Sequence, residues 1–158
     1  GGWVFVPVTL GMRAYIVDQN GWAGFDGTAW RMGLQSLSGN GAGMQLLVKE
    51  IDHTIAAGTT SAVTLALPGQ AVVYGVTGRV LNGITGTLTG YSVGTAASDN
   101  RYGSGLSLAL GSWMRGLTST PLTYYSDEDL ILTAEGGDFA AGDIRLAIHY
   151  AQFSLPTP

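Results

Sequence analysis

Large apolar residues alternate with small or polar residues over most of the chain, and this period of two is the feature that most limits the fold. The clearest example lies near the C-terminus, where single residues of other types separate four large ones: Ile144, Leu146, Ile148 and Tyr150. Because side chains on a β-strand point alternately to opposite faces, this spacing predicts a strand with one buried face. Val63, Leu65 and Leu67 repeat the spacing, so we expect them to share a buried face too.

Glycine and turn residues interrupt the alternation at short intervals, and no stretch has a helical period with caps. The 158 residues include 25 glycines, and about seven or eight strands are expected between Gln45 and Ser154. Turns spaced by roughly 8 to 12 residues are typical of sandwiches and jelly rolls. The sequence therefore predicts an all-β protein, with a C-terminal jelly-roll-like β-sandwich preceded by a small N-terminal β-hairpin or meander module.

The domain boundaries follow from changes in composition. Residues 1–33 contain short aromatic runs separated by turn pairs such as Asn20-Gly21 and Asp26-Gly27, which predict a Trp-rich hairpin module. Residues 34–44 are small, polar and rich in glycine and serine, which favours a flexible linker. Residues 45–158 then form the predicted sandwich. Because the chain begins with Gly1 and not with Met, we also expect a fragment or a processed product.

The charge balance and the absence of cysteine exclude several classes of function. The net charge is −4, with 11 acidic residues against 7 cations, so clustered cations for a nucleic acid backbone are missing. Apolar runs are too short to cross a bilayer, so membrane insertion is not expected. Without cysteine there are no disulfides and no thiolate metal sites. We expect no cofactor.

One segment matches a pattern of serine hydrolases. Gly90-Tyr91-Ser92-Val93-Gly94 has the form G-x-S-x-G, and Asp127 or Asp138 and then His149 follow in the order of a hydrolase triad. That pattern requires a sharp turn from a strand into a helix, whereas Ser92 lies within an alternation typical of a strand. In a chain so rich in glycine and serine the pattern also arises by chance. We therefore predict no catalytic residues and no enzymatic activity.

Metal ligands are sparse. His53 and His149 are far apart in sequence and lack the spacing of a zinc pair, so no metal site is predicted. The run Asp127-Glu128-Asp129 offers carboxylate oxygens of the kind that bind Ca²⁺. The same run is also typical of a solvated turn, so the sequence leaves calcium binding there open.

The segment from Gly94 to Gly105 is long for a sandwich loop and contains polar and aromatic residues that could bind a sugar. These are Asp99, Asn100, Arg101 and Tyr102. Sugars are recognised by polar groups that bind neighbouring hydroxyls and by an aromatic ring under the apolar face of the sugar ring. The alternative is a structural loop, in which Asp99 or Asn100 caps a turn and Arg101 pairs with an acid.

Two further aromatic residues complete the predicted glycan-binding set. Trp113 lies with Met114 and Arg115 between Gly111 and Gly116. Tyr124 and Tyr125 are adjacent in a predicted strand, so one of the two should point outward, and Tyr125 is the candidate. Burial in the core is the alternative for each aromatic residue.

Several segments resemble a family of phage tail-fibre and gene transfer agent spike proteins that contains a domain of unknown function. The resemblance is carried by Arg13-Ala-Tyr-Ile-Val and by Gly21-Trp-Ala-Gly-Phe-Asp-Gly-Thr-Ala-Trp30, which is similar to the Phe-Asp-Gly-x-x-Trp hairpin of a Trp-rich module. Later segments resemble the sandwich that follows this module: Ala71 to Val80, Asp99 to Leu106, Gly136 to Phe139 and Ile144 to Tyr150.

The resemblance implies a non-enzymatic receptor-binding domain on the surface of a virion or gene transfer agent particle, extracellular once the particle is released. Its expected partners are a host cell-surface polysaccharide such as capsule and other spike or fibre proteins. Few lysines or prolines protect the strand edges, so we expect a homo-oligomer, and the resemblance favours a trimer. The alternatives are a purely structural spike or decoration subunit without glycan binding, and a capsule-modifying hydrolase or esterase.

Overall fold

The computed structural model describes residue 2 and residues 4–156, and these residues form twelve β-strands and no helix. The prediction of an all-β protein is confirmed. The strands are β1 (Arg13–Ile16), β2 (Gly21–Phe25), β3 (Trp30–Met32), β4 (Leu34–Leu37), β5 (Gly43–Thr54), β6 (Thr60–Leu67), β7 (Ala71–Gly86), β8 (Gly90–Thr95), β9 (Ser98–Leu106), β10 (Trp113–Tyr124), β11 (Glu128–Glu135) and β12 (Phe139–Ser154). Residues 1, 3, 157 and 158 of the predicted domains lie outside the described part. None of the described residues belongs to a helix that is long and apolar enough to cross a bilayer.

The chain divides into two compact units whose boundaries differ from the predicted ones. The first unit comprises Gly1–Leu47 and Ala151–Pro158, and the second comprises Val48–Tyr150. Residues 34–44, predicted as a linker, contain β4 and the start of β5, which pair in an antiparallel hairpin. The physical reason is local packing, because Leu34 at the start of β4 is buried beside Gly24, where a β-carbon would lie 2.7 Å from the Leu34 side chain.

The first unit contains a three-stranded antiparallel sheet in the order β1-β2-β3, as the meander prediction requires. Asp26 holds the turn between β2 and β3, because its Oδ1 accepts hydrogen bonds from the backbone N–H of Ala29 at 2.7 Å and of Thr28 at 2.8 Å. Its Oδ2 accepts one from Arg31 Nε at 2.7 Å. These hydrogen bonds lower the pKa of Asp26 to about 2, and the one from the Ala29 N–H has the largest effect. Gly27 has φ +96°, which a glycine adopts without strain.

The second unit is a two-sheet sandwich with the strand order of a jelly roll. Strands β10-β7-β12-β5 are neighbours in one sheet, and β6-β11-β8-β9 form the other. Successive strands from β5 to β12 alternate between the two sheets, except that β8 and β9 pair directly as a hairpin. This order matches eight strands arranged in two sheets with Greek-key connections.

The core lies between the two sheets and confirms most of the predicted alternation. Ile144, Leu146 and Ile148 of β12 are fully buried, as are Leu130 and Leu132 of β11. These residues belong to one apolar cluster that contains side chains from both sheets. Burial of a large aliphatic side chain contributes roughly 1.5 to 3 kcal/mol, so this cluster is the main source of stability of the unit.

Strand β6 departs from the prediction at Leu65. The pairing with β11 shifts between Leu67 opposite Glu128 and Val63 opposite Leu130, which marks a β-bulge. Leu65 has φ +49° and is 52% exposed, whereas Ala66 beside it is fully buried. The prediction that Leu65 shares the buried face of Val63 and Leu67 is therefore wrong, because the bulge reverses the direction of the side chains.

Candidate functional site

The long loop predicted between Gly94 and Gly105 is a tight β-hairpin instead. Strand β8 extends to Thr95, two residues form the turn, and β9 begins at Ser98. A β-carbon on Gly94 would lie 2.0 Å from the Ser98 carbonyl oxygen, so the two strands approach each other closely at this glycine. Asp99, Asn100, Arg101 and Tyr102 consequently lie on a strand, and their side chains point to opposite faces.

Tyr102 is part of the core, which differs from the surface position predicted for it. Its side chain is 2% exposed, and its hydroxyl lies 2.9 Å from the hydroxyl of Tyr124, which is also buried. Burial, followed by the Tyr124 hydrogen bond, raises the pKa of Tyr102 far above its usual range. Tyr125 is 86% exposed, so the prediction that one of the two adjacent tyrosines points outward is confirmed.

Two of the predicted residues line a groove that we call the edge groove. Asn100 and Arg101 of β9 face an irregular part of β10, where the pairing of β10 with β7 shifts between Leu117 and Leu122. The groove has a volume of about 380 Å³ and is lined by Asn100, Arg101, Leu117, Thr118, Ser119 and Thr120. Hydroxyl and amide groups therefore dominate its surface, as in sites that bind hydroxylated ligands.

Arg101 has an unusual environment in this groove. Its Nε is buried and has no hydrogen-bond partner among the described residues. The described part of the chain also gives Arg101 no ion pair, in contrast to the structural alternative in which it pairs with an acid. An unpartnered buried donor is costly, so this guanidinium is suited to an acceptor that enters the groove, such as water or a ligand oxygen.

Trp113 lies in a second concavity, which we call the outer-face groove. It has a volume of about 440 Å³ on the sheet that contains β10, β7, β12 and β5. Its lining residues are Glu50, Thr77, Gly78, Arg79, Leu81, Trp113, Met114, Arg115, Arg145 and Ala147. The Trp113 side chain is 66% exposed, and the Arg115 guanidinium lies 5.7 Å from the centre of its ring. This is the geometry of a cation–π pair.

The arginines of the outer-face groove differ in whether they pair with an acid. Arg145 donates hydrogen bonds to both carboxylate oxygens of Asp52 at 2.6 and 2.7 Å and lies 3.6 Å from Glu50. This pairing lowers the pKa of Asp52 and raises that of Arg145. Within the described residues, Arg79 and Arg115 form no ion pair. Arg79 donates a hydrogen bond to the Gly111 carbonyl oxygen at 3.1 Å, which limits its movement.

The six predicted glycan-binding residues are thus distributed over the second unit. Asn100 and Arg101 share the edge groove, Trp113 lies in the outer-face groove, and Tyr102 is in the core. Asp99 and Tyr125 are exposed outside the residues that line either groove. The predictions did not include the other arginines of the outer-face groove. Their alternation with buried residues on β7, β10 and β12 is a signal that would have placed them on the outward face.

The segment that matches the hydrolase pattern is an ordinary strand of the sandwich. Ser92 is buried in the middle of β8, where it lies opposite Thr133 of β11, and β8 leads into β9. His149 Nε2 lies 2.9 Å from Thr77 Oγ1. His53 Nε2 lies 2.8 Å from Ser61 Oγ, and burial lowers the pKa of His53. The requirement of a strand followed by a turn and a helix is therefore not met at Ser92.

The acidic run before β11 uses its carboxylates within the chain. Asp127 Oδ1 accepts a hydrogen bond from the Gly69 N–H at 2.6 Å, and Asp129 Oδ1 accepts one from the Leu65 N–H at 2.8 Å. Lys49, the only lysine of the chain, donates to the Leu65 carbonyl oxygen at 2.7 Å. Among the described residues, no group of three His, Asp or Glu side chains is arranged to hold a metal ion.

Comparison with known proteins identifies a similar fold. No protein-family model matches the chain, and no characterised protein matches it in sequence. Among solved structures, a chain described as "Cyanophage Pam1 capsid asymmetric unit" aligns with a TM-score of 0.54 and 24% identity. The alignment covers 75% of this chain and 92% of that chain. The two proteins therefore share a fold, and that fold accounts for nearly all of the capsid chain.

Proposed function

We propose that this chain is a non-enzymatic structural subunit of a bacteriophage-type particle, where it contacts other virion proteins. The observation that carries the proposal is the match of its fold to nearly the whole of a chain from a cyanophage capsid. Jelly rolls are common in viral capsids, where they supply rigid blocks that assemble through their surfaces. The burial of Ser92 within β8 agrees with a role that involves no nucleophile.

The surface of the second unit supports assembly with neighbours. Several large apolar or aromatic side chains are mostly exposed there: Leu110, Trp113, Leu117 and Tyr125. Aromatic residues and arginine are enriched at protein interfaces, whereas lysine, of which the chain has one, is depleted. A homo-oligomer, with a trimer as the first candidate, would cover part of this surface by closed symmetry.

The experiment for this role follows the protein through particle purification. An antibody against the chain is applied to fractions of a density gradient prepared from cells that encode it and release particles. We expect the protein to be found with nuclease-resistant DNA at the density of particles. Recovery only among unassembled proteins at the top of the gradient would contradict the proposal. Gold-labelled antibody viewed by electron microscopy then separates a capsid position from a spike or fibre.

A second candidate function is recognition of a host cell-surface polysaccharide, with the domain placed on the particle surface as a spike or fibre component. Two observations favour it: the exposed ring of Trp113, and the hydroxyl and amide lining of the edge groove around Asn100 and Arg101. Binding of purified capsule by the wild type is compared with that of Trp113→Ala, Asn100→Ala and Asp99→Ala. Binding by the wild type that neither Trp113→Ala nor Asn100→Ala changes would exclude both grooves.

A further inference from the structure

We propose that the outer-face groove binds a pyranose unit that carries a carboxylate, as in a uronic acid residue of an acidic polysaccharide. The proposal rests on the saccharide-binding role described above and assigns it a position and a ligand charge. Three of the six arginines of the chain line this one groove, although the chain as a whole has a net charge of −4.

The aromatic part of the groove is suited to a sugar ring. Trp113 exposes most of its indole, and the Arg115 guanidinium lies 5.7 Å from the centre of the ring. An exposed, oriented indole can pack against the apolar face of a pyranose, because that face presents C–H groups and leaves the hydroxyls at the rim. A bare inorganic anion would not use this surface.

The cations provide the charge preference. Arg145 is occupied by Asp52 and Glu50, whereas Arg79 and Arg115 have no carboxylate partner within the described residues. A guanidinium presents its N–H groups as a planar fork that matches the two oxygens of a carboxylate. Both guanidinium groups line the groove together with Trp113, so one sugar unit can contact the ring and a fork at once.

The base and size of the groove agree with one or two sugar units. Thr77, Gly78 and Ala147 are small residues, so they leave the space between the aromatic and the charged sides open. Its volume of about 440 Å³ falls within the range of roughly 300 to 1,000 Å³ that is usual for small-molecule sites.

The experiment uses the full chain and a pair of probes with the same sugar rings, one with free carboxylates and one with these groups esterified. Oligogalacturonate and its methyl ester have the same rings, but only the first carries carboxylates. Calorimetry is expected to show binding of the acid, and binding of the ester about tenfold weaker or more, since the ester cannot form the charge-assisted hydrogen bonds that a carboxylate forms with a guanidinium. Arg115→Gln should weaken binding of the acid by a similar factor and leave binding of the ester nearly unchanged. Trp113→Ala should weaken both.

Two control variants distinguish the outer-face groove from the edge groove and from a general effect of positive charge. Arg13→Gln removes another exposed cation, in the first unit, and its binding should match that of the wild type. Arg101→Gln tests the edge groove as the competing position of the sugar, and it should weaken binding of the acid much less than Arg115→Gln does. The circular dichroism spectrum of each variant establishes that it folds. Arg115→Lys, which keeps the charge and loses the fork, is expected to be intermediate.

Each outcome that contradicts the proposal removes a different part of it. Equal affinity for the acid and the ester would overturn the carboxylate preference and leave saccharide binding intact. Loss of binding in Arg101→Gln but not in Arg115→Gln would place the sugar in the edge groove and overturn the assignment. Equal weakening by Arg13→Gln and Arg115→Gln would mean that overall charge, and not this groove, controls binding. Absence of binding to either probe would overturn the inference, and absence of binding to any purified capsule would also remove the saccharide-binding role.

Discussion

Replacement of Tyr102 by Phe removes one hydroxyl from the buried pair that Tyr102 forms with Tyr124. The two oxygens are 2.9 Å apart, and both side chains are excluded from water. The variant loses a hydrogen bond with a net value of about 0.5 to 1.5 kcal/mol, and the remaining Tyr124 hydroxyl is left in the core without this partner. Because a buried group that loses its partner costs about 1 to 3 kcal/mol, we expect the free energy of unfolding to fall by about 1 to 3 kcal/mol.

The paired substitution tests the reason for this loss. Tyr124→Phe should cost a similar amount, but the double variant should cost less than the sum of the two, because it leaves no hydroxyl unpaired. We expect a coupling energy of about 1 kcal/mol or more, as found for residues in direct contact. Tyr125→Phe is the matched control, since its ring is 86% exposed and its substitution should change stability by no more than about 0.5 kcal/mol.

Urea-induced unfolding of the full chain, followed by far-UV circular dichroism, measures these differences. Because the chain has two compact units, amide hydrogen exchange in β9 and β10 is needed to assign the loss to the second unit. If Tyr102→Phe costs no more than Tyr125→Phe, the hydroxyl pair contributes nothing to stability. If the two single losses add in the double variant, the two hydroxyls do not interact, and the reasoning fails.

Two further predictions concern a close contact and a turn. A β-carbon on Gly116 would lie 2.0 Å from the Tyr102 carbonyl oxygen, so Gly116→Ala should lower the thermal unfolding temperature. Gly83→Ala is the control and should not lower it, because the nearest atom to a β-carbon there is 3.9 Å away. Equal effects of the two substitutions would contradict the close approach at Gly116. The pKa of Asp26 is about 2 in the folded chain, below the ordinary value of 3.8, so its stabilising contribution is present above pH 4 and is lost as the pH falls toward 2. When acid unfolding is followed by tryptophan fluorescence, Asp26→Asn should lack the part of the transition that protonation of Asp26 causes. A transition identical to that of the wild type would refute this assignment.

The regular parts of the sandwich follow directly from the sequence, and the irregular parts do not. Ile144, Leu146 and Ile148 are buried as the alternation predicts, because β12 is flanked by strands on both sides and keeps a constant period. Leu65 is exposed because the bulge in β6 adds residues to one strand only, and an alternation of side chains cannot reveal where such an insertion lies. The linker prediction failed for a related reason, since small residues in a tight hairpin resemble those of a flexible connection.

In the candidate site too, the sequence predicts the local features but not those that depend on the order of the strands. Two signals are local in the sequence: Trp113 lies two positions before Arg115, and the Asp26-Gly27 pair marks a turn. The outer-face groove, however, contains arginines from β7, β10 and β12. Their proximity depends on the order of strands in the sheet, which local sequence patterns do not specify. The burial of Tyr102 likewise depends on Tyr124, a partner 22 positions away.

The bulge at Leu65 has a consequence for how copies of this protein can associate. Strand β6 forms one edge of its sheet, where Asp129 and Lys49 bind the backbone N–H and carbonyl oxygen of Leu65. In the other sheet, β10 forms one edge. It contains Pro121, which has no N–H to donate, at the position where its pairing with β7 shifts. Neither margin offers the straight row of free amides that a foreign strand needs in order to extend the sheet. Such margins resist growth into amyloid-like ribbons, so subunits that meet along these borders must recognise each other through side chains.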